Sequence, residues 1–236
     1  MIIQRKEYLN KLIAFKDKQI IKVITGIRRC GKSMLMEIYQ DWLCNHGVAS
    51  EQIVSINFED MDYEELTDYK KLYQFLKSKL LPDRTTYIFL DEIQHVENFP
   101  KVVDSLYIKK NVDIYITGSN AYMLSSEIAT LISGRYVQIE MLPLSFKEYM
   151  ESTGSMEGRG VKYTEYLSNS SFPYALELKG HPSEIRDYLE GIYNTIVVKD
   201  IITRKRITDP MMLRSVLRFI FDSIGSPISS KKIGRL

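Results

Sequence analysis

Gly26, Gly31, Lys32 and Ser33 occupy the fixed positions of the pattern G-x-x-x-x-G-K-[ST], within the stretch VITGIRRCGKSML from Val23 to Leu35. Glycines at those positions let successive backbone N–H groups turn inward around phosphate oxygens. The lysine ammonium can then reach the β and γ phosphates, and the serine hydroxyl can ligate Mg²⁺. Ile27, Arg28, Arg29 and Cys30 lie between the fixed positions and Met34 follows them, so Gly26 to Met34 is the expected nucleotide-binding segment. A helix opening at Lys32 would point the positive end of its dipole at the bound anion.

Two further groups suit the same chemistry. In YIFLDEIQ (Tyr87 to Gln94) an apolar run ends in Asp91 and Glu92, where open α/β sheets bind ligands, outside the carboxyl ends of their strands. Asp91 is expected to join Ser33 around the magnesium ion, and Glu92 to orient and polarise an attacking water. An acid directly after the aspartate favours hydrolysis over phosphoryl transfer to a small molecule. In YITGSNAYML (Tyr115 to Leu124) another apolar run ends in Gly118, Ser119 and Asn120, short polar residues suited to sensing the γ phosphate or the water. An ordinary turn capping the next helix would use the same residue types.

Groups so far apart in the chain converge only if the intervening elements return them to one edge. Apolar runs rich in β-branched residues recur at 20–25, 52–58, 85–91, 112–119 and 135–142. Stretches of helical spacing lie between them, such as SMLMEIYQDWLCNHG (33–47), which ends on Gly47. Near-continuous apolar strands alternating with helices predict a three-layer α/β domain of about five parallel strands. After LPLSFKEYM the strand signal fades, ESTGSMEGRG is polar, and the pattern from Tyr163 onward is helical. Ser229 or Ser230 is the expected N-cap of a last helix that the end of the chain cuts short.

The bulk numbers are those of a folded chain. Its 236 residues are 44% hydrophobic and 26% charged, which argues against disorder and fibrous classes. No window approaches the roughly 18 apolar residues of a membrane span, and the amino terminus lacks a leader-like core, so a cytoplasmic protein without a membrane partner is expected. Cys30 and Cys44, with His46, His95 and His181, complete no metal spacing, so any metal should have oxygen ligands. Cys30 reads either as an oxidisable switch or as a small residue tolerated in the loop. Net charge is +2, with acid gathered at 51–65 and base toward the carboxyl end. No Asn-Lys-x-Asp guanine-reading tetrapeptide occurs, so ATP is the expected nucleotide.

The succession GIRRCGKS, INFED, IFLDEIQ and ITGSNAYMLSSEIATLISGRYVQIEMLPLSFKEY resembles the AAA+ superfamily ATPases of bacteria and archaea that carry an extra carboxyl-terminal domain of unknown function. The likeness runs from about Tyr8 to the last residues and is most specific from Ile116 to Tyr149. It implies a P-loop NTPase sheet of order 5-1-4-3-2, with Lys32 and Ser33 in the phosphate loop and Asp91 and Glu92 as magnesium and hydrolytic acids. Asn120, or Ser119 beside it, becomes the first sensor. In LISGRYVQIE it places Arg135 where such proteins carry the arginine that reaches a neighbouring subunit's γ phosphate; a surface arginine paired with a carboxylate is the alternative.

By the same likeness, 1–150 is the ATPase core, 151–208 a linker and helical lid, and 209–236 the start of a winged-helix-like module whose DNA-reading helix is not in the chain. Ser170 and Ser171 in NSSFPYA stand where such proteins usually have Gly-Gly. Arg186, Arg204 and Lys205 read as lid contacts or as a solvated basic face. The implied function is Mg²⁺-dependent ATP binding and hydrolysis coupled to conformational change, in a homo-oligomer or with a DNA or protein partner at the carboxyl-terminal part. The alternatives are a slow ATP-controlled switch that governs such binding and, disfavoured by the Asp-Glu pair, a small-molecule kinase.

Overall fold

The computed structural model describes residues 3–119, 134–154, 158–203 and 207–234. The first half of the chain alternates helix and strand: α1 (Lys6–Ala14), β1 (Ile21–Gly26), α2 (Lys32–Asn45), β2 (Ile53–Asn57), α3 (Tyr69–Lys79), β3 (Thr86–Asp91), α4 (Phe99–Tyr107), β4 (Val112–Ser119) and β5 (Tyr136–Met141). All neighbouring strands run parallel, in the order β2-β3-β4-β1-β5, which is the expected 5-1-4-3-2.

Every residue of β1 and β3 is buried, as continuous apolar strands covered on both faces must be. Side chains alternate between two cores. Val23, Ile88, Leu90, Ile114 and Ile116 pack with Leu72 and Leu76 of α3 and Val102, Val103 and Leu106 of α4. Ile24, Phe89, Tyr115 and Ile139 pack on the other face with Leu12 of α1 and Leu35, Tyr39 and Leu43 of α2. The register brings the carboxyl ends level: Gly26 pairs with Ser119 on one side and Met141 on the other, and Asn57 with Asp91.

After β5 come α5 (Phe146–Thr153) and α6 (Arg159–Asn169). Ser145 and Glu148 form a reciprocal capping box at the start of α5, the Glu148 N–H donating to Ser145 Oγ and the Ser145 N–H to Glu148 Oε2. Tyr166 donates to the Leu144 carbonyl at 2.8 Å, the Leu144 N–H donates to the Ser171 carbonyl at 2.7 Å, and Tyr149 and Tyr166 meet edge to face. These contacts tie α6 and the turn after it to α5 and the segment following β5, and the first compact unit runs from Met1 to Ile185.

The second unit is Arg186–Leu236. Helix α7 (Pro182–Thr195) begins in the last residues of the first unit and leads into a π-helical stretch, Ile196–Thr203. Asp209 then caps α8 (Pro210–Asp222), its carboxylate accepting from the Met211 and Met212 N–H groups, and Ser229 caps the short α9 (Ser230–Ile233). No described helix is long and apolar enough to cross a membrane.

The backbone at Ser170 favours glycine, the residue that the family likeness leads one to expect there. Its φ of 78° and ψ of 157° fall in a region that residues with a Cβ rarely enter, at a cost on the order of 1–3 kcal/mol. The Ser170 hydroxyl oxygen offsets part of this by accepting from the Phe172 N–H at 3.3 Å. Ser170→Gly is therefore expected to stabilise the first unit by about 1 kcal/mol, a rise of roughly 2–4 °C in melting temperature by calorimetry. An unchanged or lowered melting temperature would count against a strained backbone there.

Candidate functional site

The phosphate loop begins where β1 stops. A Cβ on Gly26 would lie 2.4 Å from the Met141 carbonyl oxygen and 2.8 Å from Cys30 Sγ, so the loop can leave the sheet only through glycine. Gly31, at φ +100°, turns the chain into α2 in a backbone region that favours glycine. Having no side chain, it caps nothing, and the first N–H groups of α2 carry no side-chain cap. An uncapped start of a long helix beside a tight glycine loop fits a phosphate group.

Lys32 folds back over this loop. Its ammonium lies 3.4 Å from the Gly26 carbonyl oxygen, 3.5 Å from that of Ile27 and 3.4 Å from Glu92 Oε1, with the side chain only 4% exposed. Cys30 is fully buried, and burial pushes its thiol above the usual range, so it is protonated at neutral pH and poorly suited to redox chemistry. Ser33 follows Lys32 in the first turn of α2, while Ile27 and Met34 are partly exposed at the loop.

Asp91 ends β3, and the next residue turns sharply away, Glu92 having φ 51° and ψ 47°. Both carboxylates are nearly buried. Thr117 holds the pair together: its Oγ1 accepts from the Glu92 N–H at 2.9 Å, and its hydroxyl donates to Asp91 Oδ1. Gln94 Nε2 donates to Glu92 Oε2, so both Glu92 oxygens are engaged, one by Gln94 and the other by Lys32. A serine hydroxyl, an aspartate and phosphate oxygens form the hard oxygen set that Mg²⁺ takes, and Ser33 and Asp91 stand at the same edge of the sheet.

Lys32 and Glu92, which the sequence singles out separately, are thus brought into contact, with Asp91 beside them. Thr117 and Gln94 lie in the same ITGS and DEIQ segments as the acids and polar residues that suggest the site, yet nothing in the sequence marks them. A threonine in a strand and a glutamine in a turn carry no signal of their own. Asn120 and the Ser119 side chain lie outside the described residues, as do Arg204 and Lys205; Arg186 is exposed on α7.

Arg135 stands at the opposite edge. Its carbonyl accepts from the Ile21 N–H at the start of β1, so the full length of that strand, roughly 20 Å at 3.3 Å per residue, separates it from its own phosphate loop. Its guanidinium pairs with Asp104 Oδ1 at 2.8 Å and lies over the Tyr107 ring at 5.5 Å, with the side chain 45% exposed. Asp104 is thus the partner of Arg135 within this chain.

Known proteins resemble this chain in sequence or in fold. Along 98% of its length the chain is 41% identical to an uncharacterized protein of Haemophilus influenzae, and it spans 58% of that relative. Among solved structures it is similar to the Walker-type ATPase of Pyrococcus abyssi, with a TM-score of 0.58, 15% identity, and coverage of 99% of this chain and 87% of the other. It is also similar to the Aeropyrum pernix Orc1 protein, solved in complex with DNA, with a TM-score of 0.54, 14% identity, and coverage of 100% and 76%. At such identities these structures show the fold. The AAA domain pattern matches residues 18–150, more than half of the chain and the whole of the five-stranded sheet, and the chain belongs to that family.

Proposed function

We propose that the protein binds ATP together with Mg²⁺ and hydrolyses it, with Lys32 on the phosphates, Ser33 and Asp91 holding the metal, and Glu92 orienting the water. The carrying observation is the meeting of Lys32 Nζ and Glu92 Oε1 over the glycine loop, which joins the phosphate-binding charge to the hydrolytic acid in one buried site. When bound, the metal supplies positive charge to the β and γ phosphates. Family membership and the P-loop fold support this reading. ATP affinity measured by titration tests it: Lys32→Ala should weaken binding roughly a hundredfold, the loss of a charge-assisted contact to phosphate. Binding equal to that of the unaltered protein would remove the assignment.

Hydrolysis would be coupled to movement of the helical segments after the sheet, in a homo-oligomer in which Arg135 leaves Asp104 to reach the γ phosphate of an adjoining subunit. Asn120 serves as sensor in this proposal, and the carboxyl-terminal part engages DNA or a protein partner in the cytoplasm. Arg135→Ala should leave ATP affinity within about twofold and lower turnover on the order of 10³-fold. Turnover per subunit should also rise with protein concentration; a flat profile with unchanged Arg135→Ala turnover would dismiss the role in trans.

One observation favours a slower device. Both Glu92 oxygens are engaged, by Lys32 and by Gln94, which suits an ATP-controlled switch whose acid must be released before water is activated. Single-turnover measurements with and without DNA separate the two readings, because only the switch would bind ATP tightly and hydrolyse it slowly under every condition.

A further inference from the structure

Arg5 lies outside every motif of the nucleotide site, yet it is 4% exposed and reaches the phosphate loop from behind. Its backbone sits in the left-handed region at φ 44°, directing the side chain from the start of α1 into the protein. Nη1 donates to the Cys30 carbonyl at 3.1 Å and Nη2 to the Leu142 carbonyl at 2.5 Å, while Nε forms an ion pair with Glu148 Oε1 at 2.8 Å. The guanidinium lies over the Tyr8 ring at 4.8 Å, and the Tyr8 hydroxyl oxygen accepts from the Leu142 N–H at 3.2 Å. One planar cation therefore joins the phosphate loop, the residue after β5 and the first turn of α5.

The Cys30 carbonyl is the informative contact. It belongs to the peptide that links Cys30 to Gly31, and in a trans peptide the C=O and N–H point in opposite directions. All peptide bonds in the described chain are trans. Holding this carbonyl outward on Arg5 aims the Gly31 N–H the other way, into the loop. Were the plane to flip, a carbonyl oxygen would face the phosphates where a donor is needed. Gly31, at φ +100°, has no Cβ to oppose such a flip, so something else must fix the plane.

We propose that Arg5 is the positioning residue of the phosphate loop, fixing the Cys30–Gly31 peptide with its N–H toward the phosphates and bracing it through Glu148 against α5. This rests on the reading of the loop as an ATP site. Arg5 touches no phosphate and is not a catalytic residue. Glu148 stiffens the brace, since its other oxygen is held by the Ser145 N–H at 2.9 Å.

Arg5→Lys keeps a cation beside Glu148 but cannot span both carbonyls. It should weaken ATP and ADP binding by about tenfold while shifting the melting temperature of the nucleotide-free protein by only a few degrees. In a Cys44→Ser background, where Cys30 is the sole cysteine, a chromogenic thiol reagent should label the variant much faster than the parent, and ATP should restore protection. A second variant, Glu148→Gln, keeps the side-chain shape and should weaken ATP binding about threefold; it carries the test if Arg5→Lys fails to fold. Unchanged ATP affinity in the folded variants, or a thiol that stays buried in Arg5→Lys, overturns the proposal. If Lys32→Ala loses ATP and the Arg5 and Glu148 variants do not, the positioning role alone falls. If the unaltered protein binds no ATP, the reading of the site falls with it.

Discussion

Glu92→Gln is expected to retain ATP binding, somewhat strengthened, and to lower hydrolysis about 10³-fold, the scale of a general base removed from its water. The amide keeps the size of the carboxylate and an oxygen that can still face Lys32, while Asp91 stays anchored by the Thr117 hydroxyl, so neither the loop nor the metal ligands are disturbed. The charge does change. In the nucleotide-free protein the Glu92 carboxylate competes for the Lys32 ammonium at 3.4 Å and repels incoming phosphates in a buried site. Removing it should tighten ATP binding by roughly three- to tenfold, about the strength of one partly screened charge contact. Tighter binding with turnover lowered about 10³-fold, measured by titration and by phosphate release, is thus the expected pair of results. Hydrolysis at the original rate would show that Glu92 is not the base, and weaker binding would show that its contact with Lys32 organises the loop.

The parts of this site that announce themselves do so through chemistry that tolerates few residue types. Gly26 must lack a Cβ, a lysine after a glycine loop is a pattern suited to phosphate, and acids at the end of a buried strand are costly unless something engages them. The sheet was legible for a similar reason: runs such as TTYIFLD can be buried on both faces only in a parallel sheet with helices above and below. What stayed hidden depends on contacts between distant segments. Arg5 meets Cys30 and Leu142 through their carbonyls, and any residue type offers a carbonyl, so no pattern in the chain marks the pairing. Thr117 and Gln94 are ordinary by type and acquire meaning only where strand register sets them beside Asp91 and Glu92. The helices after residue 150 read as separate from the sheet because the strand signal ends there. The bonds from Tyr166 to Leu144 and from Leu144 to Ser171, which join α6 and the turn after it to the segment following β5, are again made through the backbone.

Asp113→Asn is expected to be the most destabilising conservative change in the sheet. Lys22, a single charge in the run IIKVIT, has no exposure at all, and its ammonium is held by Asp113 Oδ1 and by the Lys18 carbonyl at 2.9 Å. Asp113, itself 2% exposed, accepts from the Tyr115 hydroxyl at 2.9 Å and the Asp17 N–H at 2.9 Å through Oδ2. Its two oxygens thus face donors only, and Tyr115 is linked onward to the Tyr39 hydroxyl of α2. An asparagine supplies one acceptor and one NH₂ group, so an N–H must meet either the ammonium or the Tyr115 and Asp17 donors. The lysine also loses its buried counter-charge. Breaking such a pair costs on the order of 3–5 kcal/mol, read as a lowered denaturation midpoint with an unchanged slope. Replacing both partners, in Lys22→Met with Asp113→Leu, should recover part of that loss, because no unpaired charge remains. Both residues lie near the amino ends of their strands, away from the phosphate loop at the carboxyl ends, so folded Asp113→Asn should bind ATP as the unaltered protein does. A loss below about 1 kcal/mol would mean that water reaches Lys22, and a change in ATP affinity would mean that the Tyr115–Tyr39 link carries strain from this network into α2 and the loop before it.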